Sequence, residues 1–133
     1  MRINVIAGVF LTALGSQYAV ATSLNHYDLE KTIFDTSHEL SQIAEENKTD
    51  LCSGDVLIAA AYMESSGAKL QRHQIGRALV SMTYGHNELK EISNVRSYCA
   101  HFSLQVKPFL EKVNVMKREL EHIALSEQNK TSD

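Results

Sequence analysis

Residues 95–123 read VRSYCAHFSLQVKPFLEKVNVMKRELEHI, and their apolar positions recur at alternating gaps of four and three residues. This spacing predicts a long amphipathic helix with one continuous apolar seam. Pro108 lies off the seam, where it is expected to kink the helix or to mark the start of a second segment. We expect the seam to face the core of a bundle, and the alternative is a self-associating coiled coil. The seam residues are Val95, Cys99, Phe102, Val106, Phe109, Val113, Met116, Leu120 and Ile123.

Three further helices are predicted upstream of the seam, and no segment has the alternating pattern of a strand. The first runs from about Tyr27 to Asn47. The second, Val56–Met63, is apolar nearly all round, and we expect Ser65-Ser66-Gly67 to end it. The third runs from about Gln71 to Tyr84 with Gly85 as its C-cap. The fold class is therefore predicted to be all-α, a small four- to five-helix bundle or orthogonal helical domain with one disulfide.

The N-terminal residues 1–21 have the organisation of a signal peptide. Arg2 supplies a positive charge, an apolar stretch follows, and Ala19-Val20-Ala21 is a small-residue cleavage motif. We expect cleavage between Ala21 and Thr22. The remainder divides into a single helical domain, 22–126, and a polar disordered tail, 127–133. No cysteine lies near the cleavage site and no later segment is apolar enough to span a bilayer, which predicts a periplasmic protein that is not a lipoprotein.

Cys52 and Cys99 are the only cysteines in the sequence. In an oxidising compartment an even pair within a small domain usually forms a disulfide, and the alternative is two buried free thiols. The absence of a C-x-x-C motif argues against a redox role and favours a structural bond.

Composition and motifs give little indication of catalysis. The 133 residues carry a formal net charge of −3 and no basic stripe, which argues against nucleic-acid binding. The six histidines form no H-x-x-x-H or H-E-x-x-H motif. Ser66-Gly67-Ala68-Lys69 matches S-x-x-K, but without the companion motifs of that enzyme class it is better explained as a helix end. We predict a protein that is not an enzyme and has no catalytic residues, cofactor or metal site.

The stretch Cys99–Phe102 with Val106–Leu110 resembles the last helix of the small helical pilotins of type II secretion, of the PulS and OutS kind. That resemblance implies a cysteine bonded back to one that follows the first helix, and Cys52 is in the corresponding position. It also implies a helical groove that captures a short helix of the outer-membrane secretin. A more distant resemblance, in size, helicity and disulfide interval, is to periplasmic acid-stress chaperones of the HdeA kind.

A compact exported domain without a catalytic constellation is expected to act by contact with another protein. We predict a groove between helices that receives an amphipathic helix, for example from a secretion-channel component, lined by Tyr62, Met63, Met82 and Tyr84. The alternatives are a periplasmic immunity protein against a secreted toxin and an HdeA-like chaperone. A homodimer formed through the seam is also compatible with the sequence.

Overall fold

The computed structural model describes residues 25–132, and within this range the chain is built from α-helices without any strand. The predicted all-α class with one disulfide is confirmed. The predicted cleavage site at Ala21 and Thr22 lies outside the described residues. The elements are α1 (His26–Glu46), α2 (Ser53–Gln71), α3 (Ile75–Asn94), a 3₁₀ turn (Ser97–Cys99) and α4 (Ser103–Lys130).

Helix α1 begins and ends close to the predicted positions. The side chain of Asn25 caps it by accepting a hydrogen bond from the Asp28 backbone N–H at 2.9 Å. Leu29, Ile33 and Leu40 are fully buried along one face, as their spacing predicts. Thr36, the polar member of this stripe, is also buried, and its hydroxyl donates to the Thr32 carbonyl at 2.7 Å.

Helix α2 continues well beyond the predicted terminator Ser65-Ser66-Gly67 and ends at Gln71. That prediction is wrong because both buried residues of the motif serve contacts between helices. The Ser66 hydroxyl donates to the Ala78 carbonyl of α3 at 2.9 Å. Gly67 lies against the ring of Phe34 in α1, and a Cβ there would be 2.9 Å from a ring carbon.

Helix α3 is also longer than predicted, because Gly85 lies inside it and is not its C-cap. A Cβ at Gly85 would overlap Cε of Met63 and lie 3.1 Å from Cβ of Tyr62. The missing side chain therefore allows α2 and α3 to approach closely, and this packing offsets the low helix propensity of glycine.

The seam is confirmed as a core-facing surface over most of its length. Val106, Val113, Met116 and Leu120 of α4 are buried, as are Cys99 and Phe102 just before the helix. Val95 departs from the pattern because it follows the end of α3 and is 64% exposed. Pro108 lies within the second turn of α4 and marks no new segment. The helix continues to Lys130, into the part of the chain predicted to be a disordered tail.

The helices pack in chain order. Helix α2 lies between α1 and α3, α3 lies between α2 and α4, and α4 touches α1 only lightly. One α1–α4 contact is the ion pair between Lys112 and Glu39 at 3.3 Å. The disulfide joins Cys52, just before α2, to Cys99 in the 3₁₀ turn, with a Cα–Cα distance of 5.2 Å. None of the helices described in residues 25–132 has the length and hydropathy needed to cross a membrane.

Candidate protein-binding face

The four residues predicted to line a groove occupy two different environments. Met63 and Met82 have no exposed surface and belong to the core between α2 and α3. Tyr62 is half-buried, whereas Tyr84 is 55% exposed. The two tyrosine rings stack against each other, with centroids 5.5 Å apart and planes inclined at 27°. Only the tyrosines are therefore placed to contact a partner, and the methionines lie in the core beneath the surface.

Glycine at position 85 explains why the rings meet. The close approach of the helices at Gly85 brings Tyr62 on α2 level with Tyr84 on α3. Met63 lies against the same glycine and fills the space that a side chain at position 85 would occupy. Stacked aromatic pairs of this kind contribute about 0.5–1.5 kcal/mol beyond the area that they bury. The stacking therefore stabilises the contact between α2 and α3 at this point of the surface.

Two exposed aliphatic residues extend the tyrosine pair into an apolar surface. Ile58 lies one turn before Tyr62 on α2 and is 46% exposed. Val80 lies one turn before Tyr84 on α3 and is 54% exposed. The surface beside Tyr84 is a shallow depression that Val80 lines together with Leu79 and Thr83. We call Ile58, Tyr62, Val80 and Tyr84 the α2–α3 face.

Ile58 and Val80 were not among the predicted partner-binding residues, although the sequence contains a signal for each. On α2 the core side is formed by Val56, Ala59, Ala60 and Met63, so that Ile58 points away from it. Val80 lies similarly off the stripe that Ala78 and Met82 form on α3. In both cases a large apolar residue lies outside the helical stripe that the core needs.

Charged residues of opposite sign lie at the two ends of the α2–α3 face. Asp55, near the start of α2, lies at the same end as Glu88 and Glu91, near the end of α3, because the helices are antiparallel. Lys69, at the end of α2, is matched by Arg77 at the start of α3, and Lys69 donates to Ser81 of α3 at 2.6 Å. The face therefore has an acidic end, an apolar centre and a basic end.

Arg96 neutralises part of the acidic end. Its guanidinium lies 3.2 Å from Asp55 and also pairs with Glu88. Hydrogen bonding to Glu88 raises the pKa of Arg96, and the Asp55 carboxylate adds to this effect. The Tyr98 hydroxyl donates to Asp55 at 2.8 Å, and this hydrogen bond raises the pKa of Tyr98. These contacts surround the disulfide and hold the 3₁₀ turn against the start of α2.

The S-x-x-K residues form part of a polar contact between α2 and α3. Lys69 binds Ser81, whose hydroxyl also lies 3.3 Å from that of Ser65. Paired serine and lysine side chains serve as nucleophile and base in some hydrolases. Ser81, however, is only 4% exposed and lies inside α3, where backbone N–H groups bond within the helix and do not form an oxyanion hole. The geometry accordingly fits a structural contact between the helices.

One group of metal-ligating residue types is close enough to share an ion in the part of the chain that the structure describes. Its ligand atoms, from Cys52, Asp55 and Cys99, lie within 4.8 Å of one another. Both sulfur atoms belong to the disulfide, which removes the thiolates that would bind a metal.

Elsewhere, the rings of His26 and His73 lie 5.1 Å apart, and the His26 ring is 3.1 Å from the Leu70 carbonyl.

The chain matches no family model, no curated protein and no solved structure.

Proposed function

We propose that this chain is an exported, non-enzymatic protein that acts by binding another protein through the α2–α3 face. The observation that carries the proposal is a stacked tyrosine pair, with Tyr62 half-buried and Tyr84 exposed, beside the exposed aliphatic side chains of Ile58 and Val80 on two adjacent helices. Tyrosine suits such a surface because it offers apolar area with a polar tip and loses little conformational entropy on binding. A neighbouring pair of exposed helices also suits an amphipathic helix that places residues i, i+3 and i+4 against it.

The compartment is the second part of the proposal. A disulfide is typical of proteins in an oxidising, exported environment. Together with the signal-peptide pattern of residues 1–21, it supports a periplasmic location after cleavage before Thr22. In that compartment we favour a pilotin-like adaptor, whose partner is a helix of a secretion-channel component.

Site-specific photo-cross-linking tests this function. A photoreactive residue replaces Val80 on the α2–α3 face, and a matched variant replaces Val115, which is 41% exposed on α4. In the native compartment, we expect a defined cross-linked partner from position 80 and none from position 115. A secretion-channel component identified by mass spectrometry supports the adaptor role, whereas a toxin domain supports an immunity role. Identical products from both positions, or no product from either, would contradict binding through this face.

A further inference from the structure

We infer that a second copy of this chain occupies the α2–α3 face of the free protein, packed about a two-fold axis. The axis lies in the interface and runs at right angles to α2 and α3, next to Tyr62 and Tyr84. This inference rests on the proposed function because it uses the same face, and it makes any other partner a competitor of the second copy.

The first support is that each tyrosine lies midway between two charged residues of opposite sign on its own helix. On α2, Asp55 precedes Tyr62 by two helical turns and Lys69 follows it by the same interval. On α3, Arg77 precedes Tyr84 and Glu91 follows it at the same spacing. Each helix thus presents a central tyrosine with opposite charges at equal distances on either side.

The second support is the register between the two helices. Tyr62 stacks on Tyr84, and Lys69 reaches Ser81. If this register is extended along the antiparallel helices α2 and α3, Lys69 lies near the level of Arg77, and Asp55 lies near the level of Glu91. The acidic and basic ends of the face therefore coincide on both helices.

These two features select one arrangement of the copies. A two-fold axis perpendicular to the helices lays α2 on α2 and α3 on α3 in opposite directions, so the basic end of each copy meets the acidic end of the other. Arg77 then faces Glu91 of the second copy, and two-fold symmetry forms this contact twice. An axis parallel to the helices would instead bring like charges together, which disfavours it.

The charges at the two ends of α3 also interact unfavourably with the helix itself. Arg77 lies in the first turn and Glu91 in the last, where the helix macrodipole favours charges of the opposite sign. A role at an interface accounts for this placement. Asp55 is already bound to Arg96 and Tyr98, so the α3 pair is the better one to test.

The test is the mass of the processed, exported chain in solution, measured by sedimentation over a range of concentrations. The apolar centre is small, which places the complex among weak, transient interfaces, and we expect a dimer that dissociates in the micromolar range. Arg77→Glu or Glu91→Arg alone should weaken the dimer about tenfold, because each creates two like-charge contacts. The double variant Arg77→Glu/Glu91→Arg should restore it.

Controls separate a lost interface from a lost fold. Both single substitutions improve the charge placement within α3, so circular dichroism and thermal melting should show an intact helical protein. Arg118→Glu, an exposed charge reversal on α4, should leave the dimer unchanged. A chain that stays monomeric at all concentrations, an equal effect of Arg118→Glu, or failure of the double variant to restore association would overturn the inference.

The result is distinguishable from that for the proposed function. If the chain is monomeric but cross-links through position 80 to a different protein, the two-fold dimer is wrong and the proposed function stands. If the dimer forms with the expected charge dependence and position 80 cross-links only to a second copy, the inference stands and the adaptor role is wrong.

Discussion

At the scale of single residues, Gly85 sets the distance between α2 and α3. An alanine there would bring its Cβ into collision with Met63, a fully buried residue. Overpacking of this kind costs about 1–3 kcal/mol, and the better helix propensity of alanine recovers about 1 kcal/mol. We therefore expect Gly85→Ala to lower the free energy of unfolding by up to about 2 kcal/mol in urea titrations. Gly76→Ala is the matched control, because a Cβ at Gly76 would meet nothing within 4 Å. Equal stability of the two variants would contradict this account.

His86 is the residue for which the structure predicts a dependence on pH. Burial lowers its pKa from the ordinary value of 6.5, and the positive charges of Lys117 and Lys90 lower it further. The unfolded chain therefore binds a proton at a higher pH than the folded chain does. The contribution of His86 to the free energy of unfolding therefore has its full value above about pH 6.5. It decreases as the pH falls through the pKa that His86 has in the unfolded chain. Urea unfolding at pH 5 and pH 7.5 should show a smaller pH difference for His86→Gln than for the parent. His122→Gln, exposed on α4, serves as the control, and an equal effect of the two substitutions would contradict the role of His86.

At the scale of secondary-structure elements, the disulfide connects the start of α2 to the turn that precedes α4. It closes a loop with a sequence separation of 47 residues, for which the chain-entropy model gives about 4 kcal/mol. We expect the double variant Cys52→Ala/Cys99→Ala to lose about 2–5 kcal/mol of unfolding free energy, measured by thermal and urea denaturation. An intact-mass measurement of the parent under non-reducing conditions should be two hydrogens lighter than after reduction. An unchanged melting temperature in the double variant would contradict a structural role for the bond.

Elements with a strong period were predictable from the sequence, whereas the ends of α2, α3 and α4 were not. The α4 seam repeats often enough that chance spacing is a poor explanation, and its residues from Cys99 onward do meet the core. Ser66, Gly67 and Gly85 are residue types that are common at helix ends, so the neighbouring sequence alone predicts that helices end there. They lie inside helices because each contacts a residue of another helix. Ser66 contacts Ala78, Gly67 contacts Phe34, and Gly85 contacts Met63. The same limitation applies to the candidate face, since two of the four predicted residues are buried by a neighbouring helix.

At the scale of the whole molecule, the distribution of charge bears on the chaperone alternative. The buried polar side chains of the described residues are four serines and one threonine, and the carboxylates lie on the surface or at partly exposed pairs. Protonation at about pH 2.5 should therefore weaken the contacts of Arg96 without placing charge in the core. We expect no acid-induced protection of an aggregating client protein, measured by turbidity against a pH 7 control. Client protection together with loss of near-ultraviolet circular dichroism would favour the chaperone role instead.

The position of the disulfide also determines how the molecule would respond to mechanical force. The loop that it closes contains α2 and α3 in full, whereas α1 and α4 lie outside it. A force applied to the two ends of the chain passes from Cys52 to Cys99 through the covalent bond, so tension bypasses the helices that carry the α2–α3 face. In single-molecule stretching, the oxidised protein should extend about 160 Å less than the reduced one, since about 47 residues at roughly 3.4 Å each stay out of the pulled path.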